Sequence, residues 1–294
     1  MTITTQSLKT IVKTRYESLT KKGRALAEFV LANPGKAVFM TTRELAAAVG
    51  ASEATVVRFV RNLGYDSYAL FIRHLREHID TGMTLVERQR LAAAQDPDTS
   101  NPLTRTVLQE IENLRALCAS VDIDNAQRII QALDSAEDLY VIGSRLSYAP
   151  AFYMGWILAK VRTQVYTLKG SDSTCLDTLA TARKQSVVVM IATSRYPNEL
   201  LRIGKYVKRL GMSLILLTDS TSCPVLSFSD LHLIAPYQNI PFLGTPTSLC
   251  CLISYLVHTL AKVRGDALKP LQEKLEQAFL ENDLLFNLET RFDR

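Results

Sequence analysis

The sequence lacks any long apolar run, and this absence argues against a membrane protein. The longest apolar-looking stretch runs from Ser248 to Ala261, which is too short to span a bilayer and contains His258. The N-terminal residues MTITTQSLKT have no apolar core of the kind that a secretory signal peptide requires. We therefore predict a cytoplasmic protein with no membrane partner.

Cysteine is sparse, and its placement favours neither disulfides nor a metal site. The five cysteines are odd in number, and their spacings match no disulfide framework and no metal-binding template. We expect the cysteines to act as small buried apolar side chains, with a redox sensor at Cys175 as the alternative. We predict no metal and no cofactor. Low-complexity tracts and internal repeats are also absent from the sequence.

The positive charge is confined to one end of the chain. The 294 residues are 47% hydrophobic and 21% charged, as in an ordinary soluble protein, and the length predicts two domains. Residues 1–80 hold 12 basic and 7 acidic residues, whereas the rest holds 22 of each, so the net charge of +5 lies in the first part. This distribution indicates a polyanion-binding module attached to a neutral body.

The basic part of the chain contains two short helices joined by a tight turn. A Thr-x-x-Glu capping box starts the first helix at Thr41, and Gly50 ends it. Ser52 caps the second helix, which runs to about Leu63. Two short helices with this spacing are typical of a DNA-binding helix-turn-helix, although an ordinary helical hairpin whose polar face meets water is the alternative.

The second of these helices has an apolar face that can seat it on the other helices and an opposite polar edge. Short polar and basic side chains near the start of a helix are what a helix that reads the major groove requires. The candidate DNA-contacting residues on this edge are Ser52, Glu53, Thr55, Arg58, Arg61 and Asn62.

The rest of the chain alternates short apolar runs with helical segments. Residues 81–103 are predicted as a linker, because their second half is polar and broken by prolines. Continuous apolar strands between helices indicate a parallel sheet covered on both faces. The five predicted strands are Leu139–Gly143, Val165–Leu168, Val187–Ala192, Leu214–Thr218 and Leu231–Ile234.

Three loops that follow the first three strands are candidates for a ligand site. Ligands bind beyond the carboxyl ends of the strands in such sheets, and each loop carries hydroxyls and one cation, which suits an anionic ligand. The alternative is that these loops are polar only because loops and helix caps usually are. The candidate residues are Ser144, Arg145 and Ser147; Lys169, Ser171 and Ser173; and Ser194, Arg195, Tyr196, Asn198 and Glu199.

The segment Ser52-Glu53-Ala54-Thr55-Val56-Val57-Arg58-Phe59, followed by Leu63-Gly64-Tyr65, resembles the recognition segment of RpiR-type regulators. The resemblance covers nearly the whole chain. It implies an all-α helix-turn-helix head plus an α/β three-layer (αβα) SIS (sugar isomerase) domain with a five-stranded parallel sheet. The implied domains are residues 1–80 and 104–294. By position, the resemblance assigns DNA contacts to Ser52, Thr55, Arg58 and Arg61, with Thr42 as a phosphate contact.

The resemblance also bears on the ligand. Phosphosugar-binding members carry a Ser-x-Ser-Gly-x-Thr-x-Glu sequence after the third strand, but here the segment Ser194–Glu199 lacks the glycine. A phosphosugar, a carboxylate and another phosphorylated metabolite therefore all stay open as ligands. The family places residues 239–248 beside the ligand site and the dimer contact, so Thr247 and Ser248 join the candidates.

Together these features predict a regulator rather than an enzyme, with no catalytic residue. We expect a homodimer or homotetramer that binds double-stranded operator DNA and responds to a small anionic metabolite such as a phosphosugar or an organic acid. The first alternative is a phosphosugar isomerase-like enzyme with an appended helical domain, in which Glu199 is the only obvious base. A non-DNA interaction module on the same fold is the second alternative.

Overall fold

A computed structural model describes residues 8–38, 40–80, 84–94, 101–237 and 244–286 of the chain. The chain divides into two compact units. The first, here called the head, contains residues 1–97 with the short segments 220–222 and 240–243, and the second, called the body, contains the remainder. The linker predicted at residues 81–103 stays a prediction. Its described residues include one whole helix (Leu85–Ala94) and the start of the next at Pro102, and residues 81–83 and 95–100 lie outside the described part.

The described residues of the head form helices, as predicted. These are α1 (Leu8–Arg15), α2 (Lys21–Ala32), α3 (Pro34–Ala37), α4 (Thr42–Ala48), α5 (Glu53–Asn62), α6 (Tyr68–Asp80) and α7 (Leu85–Ala94), with a 3₁₀ turn at Tyr16–Ser18. Their apolar faces converge on one core, in which Leu26, Leu45, Phe59, Leu63 and Phe71 are almost completely withdrawn from solvent. The burial of these side chains holds the short helices together, because helices of this length are marginal in isolation.

The capping signals in the sequence start the helices where they were expected. Thr41 and Glu44 form a reciprocal capping box at the start of α4. Gly50 adopts a left-handed backbone with φ of +61°, which lets the chain turn tightly between α4 and α5. The Ser52 hydroxyl then accepts a hydrogen bond from the Thr55 N–H and caps α5.

The body is a five-stranded, wholly parallel sheet with the strand order β2-β1-β3-β4-β5. The strands are β1 (Leu139–Gly143), β2 (Val165–Lys169), β3 (Val187–Ala192), β4 (Ser213–Thr218) and β5 (Leu231–Ile234). The helices are α8 (Pro102–Ser120), α9 (Ile123–Ser135), α10 (Tyr148–Leu158), α11 (Thr174–Ala180), α12 (Asn198–Arg209), α13 (Thr247–Arg264) and α14 (Lys269–Glu281). Short 3₁₀ turns occupy Arg145–Ser147, Pro224–Phe228 and Gly265–Leu268.

Helices cover both faces of the sheet, which confirms the predicted three-layer αβα architecture. Leu139 and Val141 pack on one side with α8, α9, α10 and α13. Tyr140 and Ile142 pack on the other side with α11 and α12. Successive residues of a strand point to opposite faces, so the continuous apolar run of β1 fills both cores.

The strand order reverses between β1 and β3, which are neighbours in the sheet although β2 lies between them in sequence. The crevice beyond the carboxyl ends of such strands is where doubly wound sheets bind ligands. The loops after β1 and β3 therefore lie at the topological switch point of the body.

Candidate functional site

The polar edge of α5 is exposed and its apolar face is buried. Val56, Phe59 and Val60 are at most 2% exposed. Because these three side chains seat the helix on the core, the opposite edge faces outward. Of the predicted DNA-contacting residues, those that are exposed are Ser52, Glu53, Arg58, Arg61 and Asn62, while Thr42 and Thr55 are half-buried.

Hydrogen bonds hold the first turn of α5 in a defined position. The hydroxyls of Ser52 and Thr55 lie 2.9 Å apart. The Thr42 hydroxyl of α4 donates a hydrogen bond to the Glu53 carboxylate of α5 at 2.7 Å. Thr42 and Glu53, both predicted DNA contacts, therefore bind each other across the turn. Their hydrogen bond fixes the position of the first turn of α4 relative to the first turn of α5.

A groove beside α5 is lined in part by residues that the sequence analysis did not select. The groove has a volume of about 360 Å³ and lies between the start of α2 and the polar edge of α5. Lys21 and Lys22 line it on one side, and Thr55, Arg58 and Asn62 line it on the other. The sequence signal for Lys21 and Lys22 was their position as a basic pair directly after the cap of α2. Only the fold shows that this pair lies next to α5.

In the body, hydrogen bonds join the loops after β1 and β3. The buried Ser144 hydroxyl donates to the Glu199 carboxylate at 2.5 Å. This bond holds the pKa of Glu199 below its usual range. The Thr193 N–H donates to the Ser147 hydroxyl at 3.0 Å, so the two loops are linked twice. These bonds bring Ser144, Ser147 and Glu199 together, while their role in binding a ligand stays a prediction.

A carboxylate that the sequence analysis did not select binds the loop after β3. Asp219 follows β4 directly, and one of its oxygens accepts hydrogen bonds from the Ser194 N–H at 2.7 Å and the Ser194 hydroxyl at 2.9 Å. The other oxygen accepts from the Tyr196 phenol at 3.1 Å. The hydroxyls of Ser194 and Tyr237 lie 2.7 Å apart. An acidic residue at the end of a central strand was the signal available in the sequence.

Two arginines in these loops have left-handed backbones. Arg145 follows β1 with φ of +53°, and Arg195 follows β3 with φ of +65°. A residue with a Cβ adopts this region at a cost of about 1–2 kcal/mol, and such strain concentrates at functional sites. Both side chains are exposed. The loops at the switch point therefore carry two outward-facing cations on strained backbones.

The remaining candidates are less closely joined to this cluster. The Lys169 ammonium lies 5.9 Å from the centre of the Tyr148 ring, and Asn198 is exposed. Ser171 and Ser173 are also exposed, and the described hydrogen bonds do not join them to the other two loops. At the start of α13, Thr247 is half-buried and Ser248 is buried. Residues 239–243 of the predicted border of the site lie outside the described part.

Cys175 is buried on α11 rather than placed in a loop, and burial raises the pKa of its thiol to about 11. Because the reactive form of a cysteine is the thiolate, this environment argues against a redox sensor at Cys175. Among the residues that the structure describes, no group of three or more His, Cys, Asp or Glu side chains could hold a metal ion. No helix in the described ranges is long and apolar enough to cross a membrane.

Two family models match the chain in the order of the two units. The model described as "Helix-turn-helix domain, rpiR family" matches residues 6–82, and the model described as "SIS domain" matches residues 132–263. The first match contains the α4–α5 pair, and the second contains all five strands.

Related proteins and structures extend over most of the chain. An uncharacterized HTH-type transcriptional regulator of Thermotoga maritima is 23% identical over 76% of this chain and 79% of its own length. The HTH-type transcriptional regulator HexR of Pseudomonas aeruginosa is 24% identical over 76% of this chain and 77% of its own. The Vibrio vulnificus NanR protein complexed with ManNAc-6P is similar in structure, with a TM-score of 0.58 and 19% identity, and the match covers 96% of this chain and 100% of that chain. At these identities the structural likeness shows a shared fold.

Proposed function

Because the chain belongs to the RpiR-type family of transcriptional regulators, we propose that α5 of the head reads double-stranded operator DNA and that a small anionic metabolite bound by the body controls this binding. The observation that carries the proposal is the exposed polar edge of α5. A helix seated by Val56, Phe59 and Val60 offers its opposite side to a major groove.

The side chains of this edge divide into base-reading and phosphate-binding groups. Arg58 and Asn62 lie one turn apart on the exposed edge, and their guanidinium and amide groups are suited to the edges of bases. Lys21 and Lys22, across the groove from Arg58, are suited to backbone phosphates. The Glu53 carboxylate would repel a DNA phosphate because both groups are negatively charged. We therefore assign Glu53 a structural role, which is to bind Thr42.

We propose that the protein acts as a homodimer or homotetramer. Paired heads match the two half-sites of an operator, and symmetric subunits supply such a pair. The helix α10 supports this proposal, because it is apolar on all sides and yet leaves Phe152 and Trp156 more than half exposed. Sedimentation analysis of Trp156→Glu tests it: a lower association state than that of the wild type is expected, and an unchanged state would count against α10 as the subunit contact.

The proposed ligand site is the loop cluster at the switch point of the sheet. The structurally similar Vibrio vulnificus NanR protein is complexed with ManNAc-6P, a phosphosugar. Support within this chain comes from Arg145 and Arg195, whose guanidinium groups can bind a carboxylate or a phosphate with two parallel hydrogen bonds. Binding there would favour one arrangement of the paired heads and so change DNA affinity.

An isomerase-like activity remains the alternative that a direct assay can detect. Glu199 would be the base, but the hydrogen bond from Ser144 lowers the pKa of Glu199 and makes it a weaker proton acceptor. Turnover of phosphosugars that is lost in Glu199→Gln would favour the enzyme.

A fluorescence anisotropy titration against the DNA upstream of the gene tests the regulator directly. At fixed salt, tighter binding to this DNA than to a scrambled duplex is expected, and Arg58→Ala should reduce that preference. Arg128→Ala is the matched control, because it removes an equal charge from an exposed position on α9 of the body. Equal affinity for both duplexes, or a preference retained by Arg58→Ala, would contradict the assignment.

A further inference from the structure

Three polar donors of the loop after β3 already bind an anion, and that anion is a carboxylate of the chain itself. Asp219 accepts the Ser194 N–H, the Ser194 hydroxyl and the Tyr196 phenol. A backbone N–H next to a hydroxyl at the end of a strand is an arrangement that binds phosphates and carboxylates. The bound carboxylate shows that this place suits an anion.

The neighbouring donors are occupied in the same way. Glu199 accepts the Ser144 hydroxyl at 2.5 Å and also its own N–H in the first turn of α12. Pro197, which precedes α12, has no N–H to offer. Two backbone donors of this region, the Ser194 N–H after β3 and the Glu199 N–H in α12, are therefore engaged by carboxylates of the chain.

The phenol of Tyr196 stays a donor to Asp219. Burial, and then the charge of Asp219, raise the pKa of Tyr196 far above its usual range, so the phenol keeps its proton. Hydrogen bonds on both carboxylate oxygens lower the cost of withdrawing the Asp219 charge from water. The geometry therefore fixes a negative charge beside Ser194.

We propose that Asp219 determines the specificity of the sensor site by excluding phosphoryl groups from Ser194, an inference that rests on the proposed function of the body as a ligand sensor. A phosphate at Ser194 could not accept a hydrogen bond from the Ser194 N–H, because its single proton is already donated to Asp219. The adjacent carboxylate would also repel the phosphate. The effector group that lies against Ser194 and Asp219 is therefore uncharged or cationic. Its anionic group binds at Arg145 and Arg195 instead.

Inorganic phosphate is the probe that tests this exclusion. Thermal shifts of the full-length protein are measured over a phosphate series at constant ionic strength, since a ligand that binds the folded state raises Tm with concentration. Asp219→Ala removes the carboxylate and exposes the donors, and we expect its apparent Kd for phosphate to be at least tenfold lower than that of the wild type. Asp219→Asn, which keeps the volume, is measured in the same way should the alanine variant not fold.

Two further variants test whether the phosphate affinity gained by Asp219→Ala arises at Ser194. Asp177→Ala removes an equal charge from an exposed position on α11 and should gain no phosphate affinity. The double variant Ser194→Ala, Asp219→Ala should lose much of the affinity gained by Asp219→Ala.

The proposal is overturned if the wild type binds phosphate as tightly as the Asp219 variants, if neither Asp219 variant gains affinity, or if Asp177→Ala gains as much. The titration contains no DNA, so failure here is distinguishable from failure of the DNA-binding proposal, which the anisotropy measurement alone detects.

Discussion

The Thr42 hydroxyl donates a hydrogen bond to the Glu53 carboxylate at 2.7 Å and so joins the first turns of α4 and α5. These two turns are the part of a helix-turn-helix that meets DNA, and their relative position decides whether α5 enters the groove. The bond also directs the Glu53 carboxylate toward α4, so that its charge is partly compensated before DNA arrives.

Thr42→Val is expected to weaken specific DNA binding about fivefold, because one net hydrogen bond contributes about 1 kcal/mol to the ordered arrangement. Valine has nearly the shape of threonine but cannot donate. Thr42→Ser is the control, since it retains the hydroxyl and should bind DNA nearly as the wild type does. Anisotropy titrations on one duplex compare the three proteins, and equal affinities for valine and threonine would show that the bond is dispensable.

Gly155→Ala is expected to destabilise the body by about 1–3 kcal/mol, the usual cost of overpacking a core. A Cβ at this position of α10 would lie 1.9 Å from the Thr167 hydroxyl oxygen of β2, so Thr167 would have to change rotamer or the helix and strand would have to separate. The free energy of unfolding from urea titration gives the measurement. Gly35→Ala is the control, because a Cβ there would meet nothing within 4 Å.

The stability of the body should fall in acid through Asp138. This nearly buried carboxylate accepts a hydrogen bond from the Arg183 guanidinium at 2.6 Å, and Arg183 lowers the pKa of Asp138 below its usual range. A lowered pKa in the folded state stabilises the protein above the pKa of the unfolded chain, about 3.9 for aspartate. That contribution is lost as the pH falls through the lower, folded-state pKa.

Urea unfolding of the wild type and of Asp138→Asn between pH 3 and pH 7 tests this sign. The difference in the free energy of unfolding should be largest near neutrality and should shrink at the acid end. A difference that does not change with pH would show that the ion pair is not responsible.

Arg195→Gly is expected to raise the free energy of unfolding by about 0.5 kcal/mol while removing a proposed ligand contact. Glycine tolerates the φ of +65° that costs arginine about 1–2 kcal/mol, although the greater freedom of glycine in the unfolded chain offsets part of the gain. Urea unfolding measures the change, and Arg202→Gly, at an exposed helical position, should instead destabilise. A loss of stability in Arg195→Gly would show that the left-handed arginine is not strained.

Much of the architecture could be predicted because its signals are local. The capping box at Thr41 and the serine cap at Ser52 start their helices with residues three positions away, and Gly50 turns the chain at one position. The apolar runs of β1 and β3 indicate buried parallel strands without knowledge of their neighbours. The exposed edge of α5 follows from the periodicity of its buried residues.

The partners within the sites could not be predicted in this way. Ser144 and Glu199 are 55 residues apart, and Ser194 and Asp219 are 25 apart. Parallel strands with crossover helices bring such loops to one edge, but many polar residues compete for each partner there. The proximity of Lys21 and Arg58 could not be predicted either, because only the packing of α2 on α5 brings them to the same groove.

The amino-acid sequence by itself determined the helical head, the parallel sheet and the outward edge of α5, because capping and hydrophobic periodicity act between residues close in the chain. Only the tertiary structure decided that Glu53 holds Thr42 and that Asp219 occupies the donors of Ser194. Those pairings depend on which distant loops the sheet and the helix packing bring within hydrogen-bond distance, and no local pattern specifies that choice.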